Sequence, residues 1–171
     1  MLRWGLIPFW AKDKAIGNRM INARSETVAS KPAFRNAFRR KRCLVLADGF
    51  YEWQKTASGK QPWYISMRSG QPFAMAGLWE SWRESDDAES LETCTIMTTG
   101  PNGFMAKLHN RMPVILPPGA AAIWLDAESD KESLLSLLAP AEDEALVATE
   151  VSRRVNSPAN DGPDLVEPLA G

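Results

Sequence analysis

Histidine is almost missing from this sequence: His109 is the single one in 171 residues. Cysteine occurs twice, at Cys43 and Cys94, and no apolar run reaches the roughly 18 residues needed to cross a bilayer. Each scarcity excludes something. One imidazole and two scattered thiols without CxxC spacing cannot build a tetrahedral zinc site, and they suggest no disulfide framework. The dinucleotide pattern GxGxxG and the phosphate-binding P-loop are both absent, which removes the two simplest nucleotide-binding readings. The opening "MLRWGLIPFWAK" does not run charged, then apolar, then small, as a secretion signal does. No metal, no cofactor and no membrane partner is therefore expected, and a reducing cytoplasm suits the free thiols.

At 19.0 kDa, with 44% hydrophobic and 24% charged residues, the chain has the composition of one ordinary globular domain covering 1–171. Its net charge of −1 conceals a polarity. Residues 1–60 carry 13 Lys/Arg against 4 Asp/Glu, a net of +9, while residues 61–171 carry 7 against 17, a net of −10. Such segregation suits an anionic ligand near the first third, or else a fold in which the two halves pair.

Strand patterns dominate the middle. "CLVLA" (43–47) and "FYEWQ" (50–54) flank Asp48-Gly49, which predicts a two-residue hairpin turn. "PWYISMR" (62–68), "FAMAGLW" (73–79) and "TCTIMTTG" (93–100) extend it into a meander. Helical patterns lie at 32–42, 118–127 and 130–138, the last capped at Ser129-Asp130. Strands and helices without regular β-α-β alternation predict an α+β fold, a strongly curved mixed or antiparallel sheet or barrel with flanking helices.

Three constellations could carry chemistry. Arg35, Arg39 and Arg42 recur at i, i+4 and i+7 on the predicted 32–42 helix, a row of guanidinium groups suited to phosphate or to an ordinary solvated face. Seven tryptophans are too many for the core alone, and Phe9-Trp10, followed by Lys12 and Lys14, is the expected groove edge where bases could stack. Glu52 lies between Tyr51 and Trp53, so strand alternation turns it away from both aromatics, toward solvent or a pocket. In a pocket, desolvation would raise its pKa and make it a proton donor near neutral pH. His109 sits at a strand entrance beside Asn110, Arg111 and Met112-Pro113, where Arg111 could hold an anion, and an imidazole exchanges protons at physiological pH.

Taken together, "RWGLIPFWAKD", "INARSET", "RCLVLADGFYEW", "PWYI", "AGLWESW", "HNRMPVIL" and "VSRRVNSPANDGPDLVEP" resemble the SOS response-associated peptidase (SRAP) family of abasic-site processing proteins, from Arg3 to Pro168. The resemblance implies a curved, barrel-like α+β domain; a monomer in the cytoplasm, on the nucleoid when bound to DNA, is expected. Its partner would be single-stranded DNA carrying abasic sites. It implies covalent capture through a thiazolidine formed by an N-terminal cysteine, with an associated self-cleaving peptidase activity. By motif position Asn22, Glu52 and His109 would be catalytic and Arg24 would hold phosphate; the charge and aromatic patterns described above would add Arg111, Phe9, Trp10, Arg35, Arg39 and Arg42 as DNA contacts. The family's N-terminal segment, with its cysteine, is expected to be missing here, through truncation or natural variation. The competing expectations are a non-catalytic single-strand binding module and a stand-alone peptidase.

Overall fold

A computed structural model describes residues 2–169. In chain order its strands and helices are β1 (Arg3–Trp4), β2 (Asn22–Arg24), α1 (Arg35–Arg40), β3 (Arg42–Ala47), β4 (Gly49–Thr56), β5 (Gly59–Met67), β6 (Phe73–Trp82), β7 (Leu91–Thr99), β8 (Met112–Pro113), α2 (Ala120–Leu125), α3 (Lys131–Ser136) and β9 (Leu146–Glu150), with short 3-10 turns between them. The fold is α+β, built on a strongly curled mixed sheet with a few short helices. Its contacts divide it into two compact units: 1–45, 74–99 and 113–140 form the first, and 46–73, 100–112 and 141–171 the second.

The first unit holds the mixed sheet. β7 is its axis: β6 pairs with it antiparallel on one side, while β1 and then β2 pair with it parallel on the other. The β6–β7 ladder runs from Trp82↔Leu91 to Gly77↔Ile96 and then parts. The segment after β8 fills the opening, because Val114 donates to the Met97 carbonyl and accepts from the Ala76 N–H. That segment is the apolar "PVIL" run, and Val114 is fully buried. A core of Leu6, Ala23, Phe38, Leu78, Met97 and Trp124 closes over the sheet, with Phe38 and Trp124 rings 6.0 Å apart.

The helices are shorter than their patterns predict. α1 stops at Arg40 because Lys41 leaves helical geometry (φ −133°, ψ 60°) and Arg42 begins a strand. Phe34 and Phe38 nonetheless face the core, as i, i+4 spacing requires. α3 starts where expected: the Asp130 carboxylate accepts from the Ser133 N–H and hydroxyl, and these bonds hold its pKa below the usual carboxylate range.

The second unit holds an antiparallel sheet, β4-β5-β9. Here the expected hairpin is corrected. β3 joins β6 and β4 joins β5, so Asp48-Gly49 is a crossing between two sheets, and the continuous meander is broken there. The true two-residue turn is Ala57-Ser58, closed by the Thr56 hydroxyl donating to the Gly59 carbonyl at 2.7 Å, with Gly59 at φ 112°. Gly49 serves another purpose: a Cβ there would lie 2.3 Å from the Tyr64 ring, so only glycine lets that ring cross the strand.

Candidate functional site

Register divides the second unit's sheet into two faces. Gly49, Tyr51, Trp53 and Lys55 stand opposite Ser66, Tyr64, Pro62 and Lys60 on one face, and Phe50, Glu52 and Gln54 stand opposite Ile65, Trp63 and Gln61 on the other. The first face lies under the C-terminal tail. The Tyr51 hydroxyl donates to the Leu165 carbonyl, and the Trp53 indole N–H donates to Asn156 Oδ1 at 2.7 Å.

Residues 100–112 meet the second face. Gln54 Nε2 donates to the Lys107 carbonyl at 2.9 Å, anchoring the turn that precedes His109. His109 Nδ1 then comes within 3.4 Å of Glu52 Oε2. The carboxylate is mostly sheltered, with 21% of its side chain exposed, and Trp63 is its cross-strand neighbour. Desolvation pushes the Glu52 pKa up, partly offset by His109 and by the Trp53 N–H.

The imidazole has a further property. Nδ1 lies 3.1 Å from the Arg111 carbonyl oxygen and 3.3 Å from the Arg111 N–H. When Nδ1 carries a proton it donates to the carbonyl beside the Glu52 carboxylate, and when bare it accepts from the N–H. Either state keeps a partner. An imidazole placed in this way, beside a carboxyl of raised pKa, is suited to proton transfer.

The other predicted residues fall as follows. Asn22 and Arg24 are exposed on β2 of the first unit, paired with Ile96 and Thr98. Phe9 and Trp10 are 60% and 48% exposed there, and Arg35 and Arg39 are exposed on α1. Arg111 is half-buried in the second unit.

Arg42 is a correction. Its guanidinium is turned inward, donating through Nε to the Trp124 carbonyl at 2.6 Å and through Nη1 to the carbonyls of Phe38 and Arg39, while Nη2 donates to that of Asp126. Only 8% of the residue is exposed, so it joins no row of phosphate-facing arginines. The i+7 spacing misleads because the helix ends two residues earlier.

Sequence reasoning missed Trp63 and Gln54. Both depend on strand pairing and on which loop crosses the sheet, and neither is visible in local periodicity. The thiols are inert: Cys94 is buried, and burial, with the nearby Cys94, pushes Cys43 up to about 12. No group of three or more metal-ligating side chains occurs among the described residues, and no described helix is long and apolar enough to cross a membrane.

Comparison with known proteins supplies the relatives. The family model described as "SOS response associated peptidase (SRAP)" matches residues 1–158. The chain is 48% identical over 168 residues to the abasic site processing protein YoqW of Bacillus subtilis, covering 97% of this chain and 75% of that protein. It is 36% identical to the abasic site processing protein HMCES of Gallus gallus, covering 98% of this chain and 56% of that one. Among solved structures, a protein of Bacteroides thetaiotaomicron superposes with a TM-score of 0.92 at 33% identity, covering 99% of this chain and 76% of that one. The family match over residues 1–158, the identity to YoqW and the α+β fold shared with a solved structure agree: this chain belongs to the SRAP family.

Proposed function

We propose that this protein processes abasic sites in single-stranded DNA, with Glu52 and His109 carrying the proton transfers. The observation that supports it most is the Glu52–His109 pair, a sheltered carboxyl of raised pKa 3.4 Å from an imidazole held in either protonation state. The open form of an abasic sugar presents an aldehyde. An amine adds to it, the carbinolamine loses water to give an imine, and a thiol on the same residue adds to the imine carbon, closing a thiazolidine with net release of one water. A protonated Glu52 can donate to the departing hydroxyl, and His109 can take up and return the proton of the attacking amine. Asn22 is proposed as a further catalytic residue from its motif position alone.

The capture step needs an amine and a thiol on one residue. Cys43 and Cys94 are strand residues whose amines are peptide nitrogens, so neither can supply it. A cysteine at the N-terminus would. Phe9 and Trp10, exposed near Lys12 and Lys14, provide stacking surfaces, and Arg24, Arg35 and Arg111 provide charge for the backbone.

The test is a denaturing gel. An abasic single-stranded oligonucleotide is mixed with the 171-residue chain and with a version extended to begin Cys-Gly-Arg after methionine removal. A covalent adduct is expected from the extended protein and only reversible binding from the other. In the extended protein, Glu52→Gln should slow adduct formation by about 10²–10⁴. An extended protein that forms no adduct, or one indifferent to Glu52→Gln, would refute the proposal.

A further inference from the structure

The first unit contains a cleft that the DNA-processing reading does not use. Its volume is about 830 Å³, within the range of small-ligand and peptide sites. Phe38, Leu134, Ala29 and Ala127 supply apolar lining, while Arg39, Arg40 and Lys131 bring three positive charges against one negative, Glu128. None of those three cations takes part in an ion pair among the described residues.

The cleft is local in origin. It forms where the C-terminal turn of α1 meets the α2–α3 connection, residues 127–129, whose shape is fixed by Ser129 Oγ donating to the Ile123 carbonyl at 2.7 Å and by the Asp130 cap. Helices α2 and α3 also leave Ile123, Leu125 and Leu135 exposed.

We propose that this cleft docks an acidic peptide segment of a partner protein, one that places an apolar side chain against Ala29 and Ala127 and its carboxylates on Arg39, Arg40 and Lys131. Charge complementarity selects the acidic partner: three cations oppose one anion in a chain whose net charge is −1. Two features select a peptide over a nucleic-acid strand. Single-strand recognition needs an exposed aromatic face for stacking, and Phe38, the cleft's one aromatic, is 1% exposed. Glu128 repels carboxylates and phosphates alike, but it can accept from a main-chain N–H, a donor that a peptide carries along its length and a sugar-phosphate chain lacks.

The assay is fluorescence anisotropy with a short labelled peptide of aspartates ending in Leu-Phe, on the unmodified chain without DNA. Its outcome is thus independent of the abasic-site reading. Saturable binding is expected, weakened about tenfold by Arg39→Glu combined with Lys131→Glu and lost when the peptide's Leu-Phe becomes Ser-Ser. Arg35→Glu, on the same helix but outside the cleft, should leave binding unchanged. The proposal fails if the peptide does not bind, if the Ser-Ser peptide binds equally well, or if Arg35→Glu weakens binding as much as the double substitution. Competition by oligo-dT for the same variant-sensitive site would also overturn it, assigning the cleft to nucleic acid. The Ser-Ser comparison uses the unmodified protein, so it stands even if a variant misfolds.

Discussion

Replacing Arg42 by alanine separates a structural arginine from the surface arginines that resemble it in sequence. The guanidinium satisfies four main-chain carbonyls, and the bonds to Trp124 and Phe38 lie fully inside the first unit. Removing it leaves those two carbonyls in a place water cannot reach, at about 1–3 kcal/mol each. The carbonyls of Arg39 and Asp126 are only partly buried and can regain water at little cost. Loss of the side chain also uncovers the Trp124 ring, whose centroid is 6.0 Å from the guanidinium carbon. The expected penalty is about 3–4 kcal/mol, a large fraction of the 5–15 kcal/mol that holds a typical domain together. Urea unfolding followed by tryptophan fluorescence measures it. Arg39→Ala, three positions earlier and exposed, is the control, with an expected change within about 0.5 kcal/mol. Equal effects from the two substitutions would refute the inward placement of Arg42 and restore the picture of one arginine row.

Gly49→Ala should destabilise the second unit by about 1–3 kcal/mol, because the new methyl meets the Tyr64 ring, and Tyr64→Ser should recover part of that loss in a thermal melt. Glu52 carries a raised pKa, so the folded state binds more protons than the unfolded one above the ordinary carboxylate range. Stability should therefore fall as pH rises through that range, from about 4.3 upward until Glu52 is ionised in the folded state, and Glu52→Gln should flatten this part of a pH series of urea midpoints. Cys43→Ser should leave adduct formation by the extended protein unchanged, since a thiol with pKa about 12 is almost wholly protonated at neutral pH; a loss of adduct on the denaturing gel would mean that Cys43 takes part.

The local signals that survive in the structure are those set by neighbours in the chain. Alternation places Glu52 opposite Tyr51 and Trp53, helical spacing buries Phe34 and Phe38, and Asp130 caps its helix. These follow from backbone periods and from hydrogen bonds a few residues long, and the sequence alone determines them. The motif series also sufficed to indicate the family. Tertiary structure decided what depends on distant partners. Asp48-Gly49 has the chemistry of a hairpin turn, but β3 pairs with β6 and β4 with β5, and the glycine makes room for Tyr64 instead. Arg42 has the chemistry of a surface cation, but its position at a helix end beneath Trp124 surrounds it with carbonyls. The Glu52–His109 pair joins residues 57 positions apart, at a distance set by Gln54 holding the Lys107 carbonyl. Pairing across such separations is selected by the burial and hydrogen bonding of the whole unit, and no short window of sequence contains that sum.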